Sequence, residues 1–141
     1  MKAVFVNKNC VLRDSHIEPD SPPDTWRLMP ATLEAVRLLA TDDRLVLIWG
    51  GYTPDVDGEK RDQGLEALAT QIEAAGGRVD GLISCRHDAQ EGCKCWGDFP
   101  GALWLAASEF GLQLNECYLL ADTEQDVVTA YAGGARPLMV L

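Results

Sequence analysis

The stretch YLLADTEQDVVTAYAGGARPLMVL (residues 118–141) decides the fold. It holds two continuous apolar runs, 118–121 and 138–141, and continuous runs are typical of strands that are buried on both faces. Between them lies a segment with helical spacing, which the Gly133-Gly134 pair is expected to end. A strand, a helix and a second strand in this order predict two parallel strands joined by a crossover helix.

The same alternation extends over the rest of the chain. Apolar runs at 3–6, 45–48 and, more weakly, 82–84 predict three more strands. Helical spacing begins near Pro30 and again near Pro100. A separate helix is expected between these two, and Gly76-Gly77 should end it. The pattern predicts an α/β, three-layer, Rossmann-like fold with a parallel sheet of about five strands, built as a single domain over residues 1–141.

Composition excludes several functional classes. The chain of 141 residues has 12 Lys and Arg against 22 Asp and Glu, a net charge of −10. This charge argues against nucleic-acid binding and against a polybasic membrane anchor. No apolar run approaches the roughly 18 residues of a membrane span, and the first residues lack the pattern of a signal peptide, so we expect a cytoplasmic protein.

Two long segments without periodicity, 10–29 and 85–99, interrupt the alternation. Long loops in small domains are usually functional, and ligands of open α/β sheets bind at the carboxyl ends of the strands. The candidate positions are therefore residues 7–10, 49–53, 85–99 and 122–126.

The second of these loops contains a cluster of metal-binding residue types. Cys85, His87, Cys93 and Cys95 form a Cys-x-His-x5-Cys-x-Cys pattern within 85–95. Three thiolates and one imidazole complete a tetrahedral zinc site with no position open for water, so the pattern predicts structural zinc. The alternatives are unligated cysteines or a Cys93–Cys95 disulfide, which the single intervening residue would strain.

Several segments carry a family resemblance, namely AVFVNKNCVL (3–12), AGGRVDGLISC (75–85), the Cys-x-His and Cys-x-Cys pairs, and LLADTEQDVVTAYAGGA (119–135). Together they resemble phosphatases of the haloacid dehalogenase (HAD) superfamily, in the heptose bisphosphate phosphatase and histidinol-phosphatase-like branch. The resemblance implies the HAD fold without a sizeable cap domain, a zinc loop, and magnesium-dependent hydrolysis of phosphate esters.

The residues that this family uses for catalysis are replaced here. The resemblance places the nucleophilic aspartate at Asn7 and the general acid at Asn9, and a neutral amide does neither task. The phosphate-binding hydroxyl after the second strand falls at Trp49, followed by Gly50. The cation expected after the zinc loop falls near Phe99, so we expect no catalytic residues.

Two acidic residues of the family pattern remain. The resemblance makes Asp122 a weak magnesium ligand with Asn7, and Asp126 a residue that caps or orients the strand-end loop. Such a site carries one negative charge at most, whereas hard cations prefer several. The sequence therefore predicts zinc as the cofactor and argues against bound magnesium.

The favoured function is a non-catalytic binding or regulatory module. Trp49, Trp96 and Phe99 would line the former active site, where aromatic rings stack on planar groups or simply fill an unused cleft. Cys10, Gly50 and Asp126 complete this predicted ligand site.

Two enzymatic alternatives remain open. One is a weak or altered HAD-type hydrolase acting on a sugar phosphate ester. The other makes Cys10 a substitute nucleophile, which the acidic surroundings oppose because they raise the pKa of a thiol.

The partner is expected to be an unknown small molecule or protein, without nucleic acid or membrane. The sequence stops at Leu141, directly after its final apolar run, and this suggests an uncovered sheet edge and a homodimer or hetero-complex.

Overall fold

The structure is a computed structural model, and it describes residues 1–10, 30–51, 58–85, 95 and 99–140. Strands and helices alternate along these residues. The strands are β1 (Lys2–Asn7), β2 (Arg44–Trp49), β3 (Gly81–Ile83), β4 (Tyr118–Ala121) and β5 (Arg136–Met139). The helices are α1 (Pro30–Leu39), α2 (Gly58–Ala74), α3 (Gly101–Phe110) and α4 (Glu124–Gly133), with 3-10 turns at Lys8–Cys10 and Leu114–Glu116.

The five strands form one parallel sheet in the order β3-β2-β1-β4-β5. This confirms the predicted α/β class and the parallel sheet of five strands. The chain builds outward from β1 on one side and then returns to add β4 and β5 on the other. The strand order therefore reverses between β1 and β4, and crevices at such switch points are the usual ligand sites of open α/β sheets.

Each face of the sheet is covered by a pair of helices. Because side chains alternate along a strand, Phe5 of β1 packs with α3 and α4, while Val4 and Val6 pack with α1 and α2. The continuous apolar runs of the sequence therefore supply both faces of the sheet. The first face is formed around Phe5, Leu47, Trp49, Leu103 and Leu119, and the second around Val4, Val36, Ile48, Leu68 and Ile72.

Proline and glycine set the helix limits as the sequence predicts. Pro100 precedes α3, and Gly111 (φ 66°) and Gly134 (φ 86°) end α3 and α4 in the left-handed conformation that glycine adopts without strain. The strands expected at 82–84 and 138–141 lie slightly earlier, as β3 and β5. No helix in the described part of the chain has the length and apolar character needed to cross a membrane.

Helix α3 offers a direct test of this packing. Leu103 is fully buried between α3 and the sheet, whereas Leu105, two residues on, is 68% exposed. We expect Leu103→Ala to lower the free energy of unfolding by about 2–5 kcal/mol, because it leaves a cavity against the sheet. Leu105→Ala should change it by less than about 0.5 kcal/mol. Urea denaturation of both variants checks this, and equal losses would contradict the described orientation of α3.

Candidate functional site

Three polar side chains from different elements meet at the carboxyl ends of the central strands. Asn7 ends β1 and pairs in register with Trp49, which ends β2. Asp126 lies in the first turn of α4, where its backbone N–H is capped by the Thr123 hydroxyl at 3.2 Å. All three are buried, with exposures of 2% for Asn7 and Asp126 and 0% for Trp49. The site therefore lies below the surface, beside the switch point.

The Asp126 carboxylate accepts a hydrogen bond on each oxygen. Trp49 Nε1 donates to Oδ1 at 3.0 Å, and Asn7 Nδ2 donates to Oδ2 at 2.5 Å. We call these three residues the Asp126 network. Burial raises the pKa of Asp126, whereas the hydrogen bonds from Trp49 and Asn7 lower it. The charge of Asp122 adds to the rise, and a hydrogen bond with the Asp122 backbone opposes it. Trp49 and Asn7 thus compensate for taking a carboxylate out of water.

The orientation of the Asn7 amide follows from its two neighbours. Its Oδ1 accepts from the backbone N–H of Asn9 at 2.8 Å, while its Nδ2 faces Asp126. A flipped amide would set oxygen against the carboxylate and an NH₂ group against an N–H donor, and both contacts would be repulsive. Asn7 therefore directs its amide hydrogens, and no lone pair, at Asp126.

Trp49 lies in the core and does not line an open pocket. Its ring packs edge-to-face on Phe5, with centroids 5.6 Å apart and an interplanar angle of 80°. This differs from the expectation that Trp49 offers a stacking surface at the strand ends. Packing against Phe5 and the hydrogen bond to Asp126 are the reasons, because together they satisfy both the apolar ring and the polar N–H of the indole.

Gly51 lies close to the Asp126 network. Its φ is +74°, and a Cβ built on it would lie 3.3 Å from Asn7 Nδ2 and 3.7 Å from Asp126 Oδ1. Gly50, the preceding residue, donates its N–H to the carbonyl of Ile83 at 2.8 Å. Sequence reasoning placed Gly50 among the ligand contacts, and the structure shows it joining the ends of β2 and β3.

Lys8 is a buried cation that the sequence analysis missed. It is 2% exposed, and its Nζ donates to the carbonyl oxygen of Gly50 at 2.6 Å. A lysine between two asparagines at a strand end gives no local signal of burial, since lysine is rarely buried without partners. The predicted candidate range 7–10 therefore includes a buried lysine side chain.

Cys10 is buried and poorly suited to nucleophilic attack. It is 6% exposed, and its Sγ donates to the carbonyl of Leu120 at 3.7 Å. Burial, with the charges of Asp122 and Asp126, raises the pKa of the thiol to about 12. Since the thiolate is the reactive form, these surroundings oppose the alternative in which Cys10 replaces a catalytic nucleophile.

In the described part of the chain, two buried side-chain oxygens accept no hydrogen bond, Asn9 Oδ1 and Asp122 Oδ1. Among the described residues they are the buried side-chain oxygens still available to a cation, because Asp126 and Asn7 Oδ1 already accept hydrogen bonds. Together they offer one negative charge, whereas magnesium sites usually combine carboxylates with phosphates or waters in strict octahedral geometry. The donor set does not fit magnesium.

The predicted zinc ligands are described only in part. Cys85 follows β3 and is 5% exposed, and Cys95 packs against the same core cluster. The carbonyl of Cys95 also accepts from the N–H of Ala102 at 3.1 Å, which fixes the end of the loop to α3. His87 and Cys93 lie outside the described residues, and within those described no three metal-binding side chains come together.

The predicted aromatic lining of the site is also described only in part. Phe99, at the start of α3, is 53% exposed. Trp96 lies outside the described residues, so the three aromatic residues proposed from the sequence are not seen together.

Comparison with known proteins supports the family resemblance. The chain is 27% identical over 137 residues to the D-glycero-β-D-manno-heptose-1,7-bisphosphate 7-phosphatase of Pseudomonas putida, covering 91% of this chain and 78% of that protein. It is 24% identical over 144 residues to the enzyme of the same name from Bordetella bronchiseptica, covering 99% and 80%. No protein-family model matches the sequence.

Solved structures show the same fold. The B. bronchiseptica D,D-heptose 1,7-bisphosphate phosphatase, crystallised with magnesium and phosphate, superposes with a TM-score of 0.77 at 24% identity, covering 97% of this chain and 79% of that one. A HAD-like phosphatase from Mesorhizobium loti gives 0.67 at 14% identity, covering 96% and 69%. The predicted fold is thereby confirmed, and the sequence comparisons support the resemblance to the heptose bisphosphate phosphatase-like branch.

The Asp126 network predicts a specific cost for losing the indole N–H. Trp49→Phe keeps an aromatic ring against Phe5 but leaves Asp126 Oδ1 without its donor. We expect a loss of about 1–3 kcal/mol in the free energy of unfolding. Trp104→Phe is the matched control, since Trp104 is 52% exposed on α3, and it should cost less than about 0.5 kcal/mol. Equal effects in urea denaturation would show that the indole N–H does not support the buried carboxylate.

Proposed function

We propose that this chain, a homologue of the heptose bisphosphate phosphatase-like branch of the HAD superfamily, has lost phosphoryl transfer and acts as a binding or regulatory module. The observation that carries the proposal is the hydrogen bond from Asn7 Nδ2 to Asp126. The family resemblance places Asn7 where the phosphatases have their nucleophile. A group at this position must direct a lone pair at phosphorus, and here it directs amide hydrogens at a buried carboxylate.

The chemistry of the replaced residues supports the same proposal. An amide is a far weaker nucleophile than a carboxylate, and removing a nucleophile alone typically lowers the rate by several orders of magnitude. Asn9, at the position of the general acid, has no proton to give near neutral pH. Phe99 brings no cation to the phosphoryl group, whose transfer depends on electrostatic stabilisation.

Two buried acceptors suggest what a binding module would recognise. Asn9 Oδ1 and Asp122 Oδ1 are acceptors without donors among the described residues. A ligand that brings hydroxyl or amino donors to the strand ends would complete them, because buried acceptors are costly when unpaired. A small molecule or a protein side chain of this kind is the proposed ligand class.

The comparisons favour the alternative, a weak or altered HAD-type hydrolase acting on a sugar phosphate ester. The relatives bear the name of a phosphatase that acts on a heptose bisphosphate. The Lys8 ammonium, at the ends of β1 and β2, also supplies a positive charge near the place where a phosphate would lie.

A phosphatase assay separates the two candidates. The purified chain is incubated with magnesium and a panel of sugar mono- and bisphosphates, and released phosphate is compared with that of a blank lacking protein. We expect no turnover above the blank, because nucleophile, acid and phosphate-binding cation are all replaced. Asp122→Asn serves as the control for contaminating phosphatases. Turnover that this variant abolishes would establish the hydrolase and overturn the proposal.

We further propose that Cys85, His87, Cys93 and Cys95 hold a structural zinc ion. The ligand types fit zinc, and coordination contributes on the order of 10 kcal/mol to the folding of a loop without its own core. The burial of Cys85 and the contact of Cys95 with α3 support the proposal, since both ends of the loop are held close to one core cluster. Thiolate ligands also suit a reducing, cytoplasmic environment.

Elemental analysis of freshly purified protein tests the zinc site. We expect a single zinc ion per chain, lost in Cys93→Ser because a hydroxyl is a poor ligand for zinc. Cys10→Ser is the matched control, as Cys10 lies in the other face of the core, and it should keep its zinc. Native protein that is folded and free of zinc would rule out the site.

A further inference from the structure

We infer that the Asp126 network takes the place of a divalent cation, so that the ends of β1, β2 and α4 are held together without magnesium. The inference deepens the proposed function and rests on it, since a pocket closed in this way cannot carry out magnesium-dependent phosphoryl transfer. It starts from the disagreement between the fold, which implies magnesium, and the donors that are present.

The first argument is the way in which Asp126 is satisfied. A buried carboxylate needs compensating positive charge or hydrogen-bond donors. Here one oxygen receives the Trp49 indole N–H and the other receives the Asn7 amide. With both oxygens engaged, the two donors offset the buried negative charge of Asp126, as a bound cation would. A metal ion could bind Asp126 only by breaking one of these hydrogen bonds.

The second argument is space. Asn7 Nδ2 and Asp126 Oδ2 are 2.5 Å apart, which leaves no room for an ion between them. Gly51 lies directly over the pair, since a Cβ on it would be 3.3 Å from Asn7 Nδ2. Magnesium needs six ligands at about 2.0–2.1 Å in octahedral arrangement and keeps several waters. This part of the site is filled by protein.

The third argument is charge. Among the described residues, the buried side-chain oxygens outside the network that lack a hydrogen bond are Oδ1 of Asp122, which belongs to a carboxylate, and Oδ1 of Asn9, which is neutral. The Lys8 ammonium is buried at the same strand ends and repels a divalent cation. The electrostatic balance therefore also opposes magnesium.

Thermal unfolding of the full chain tests the inference. The native protein should unfold at the same temperature after chelation and with added magnesium at equal ionic strength. Asn7→Asp should unfold about 5 °C lower or more under chelation, because it sets two carboxylates against each other in the core. Magnesium should restore much of that loss, since the new carboxylate supplies the missing ligand.

Two control variants isolate the effect. Asn7→Ala removes the donor without adding a ligand, so it should unfold at a lower temperature and gain nothing from magnesium. Asn115→Asp makes the same chemical change at an exposed residue and should behave as the native protein. A magnesium response in either control would point to binding elsewhere and overturn the inference.

Calorimetric titration of the native chain with magnesium provides a test that does not depend on any variant. We expect no saturable heat. Binding to the native chain, or an Asn7→Asp variant that is neither destabilised nor rescued, would overturn the inference. Magnesium binding without phosphate release would refute it and leave the proposed loss of catalysis intact, whereas turnover would refute the proposed function itself.

Discussion

The buried carboxylate of Asp126 is the constraint on which the arrangement of the strand ends depends. A carboxylate taken out of water costs several kcal/mol unless donors replace its hydration. The fold places those donors at the last residues of β1 and β2, which are paired in register and so deliver Asn7 and Trp49 to the same carboxylate. Gly51 then has to be a glycine in a left-handed conformation, because a side chain there would be strained and would press on Asn7. The residue types at these positions therefore depend on one another.

The fold could be predicted from the sequence because its signals are local. Continuous apolar runs indicate strands buried on both faces, and the positions of Pro30, Pro100, Gly111 and Gly134 mark helix limits through backbone conformation alone. The local sequence of the edge strand β5 is a weaker signal. Arg136 and Pro137 are not typical strand residues, and they enter β5 because β4 offers them a partner. Pairing across the sheet thus decided what local propensity left open.

The site could be predicted in position but not in its bonding. The rule that ligand sites lie at the carboxyl ends of strands located Asn7, Trp49 and Asp126. It did not reveal that they bond to one another, since Asn7 and Asp126 are 119 residues apart and no local pattern links them. Nor did it show that Trp49 turns into the core or that Lys8 is buried. Partner choice among buried polar groups depends on three-dimensional distances, and residue types at strand ends do not specify it.

The mutual fit of Asn7, Trp49 and Asp126 bears on the proposed loss of phosphoryl transfer. Without the carboxylate, the buried Asn7 amide would need another acceptor. If only Trp49 had been introduced, its indole N–H would be buried without a partner, and either group alone would cost about 1–3 kcal/mol. Together they satisfy the one carboxylate between them. Among the described residues, the buried side-chain oxygens without a hydrogen bond are those of Asn9 and Asp122, outside the network. The buried polar groups are thus paired around Asp126, whereas one oxygen of Asp122 is not. The two unpaired acceptors are where the proposed ligand would supply the missing donors.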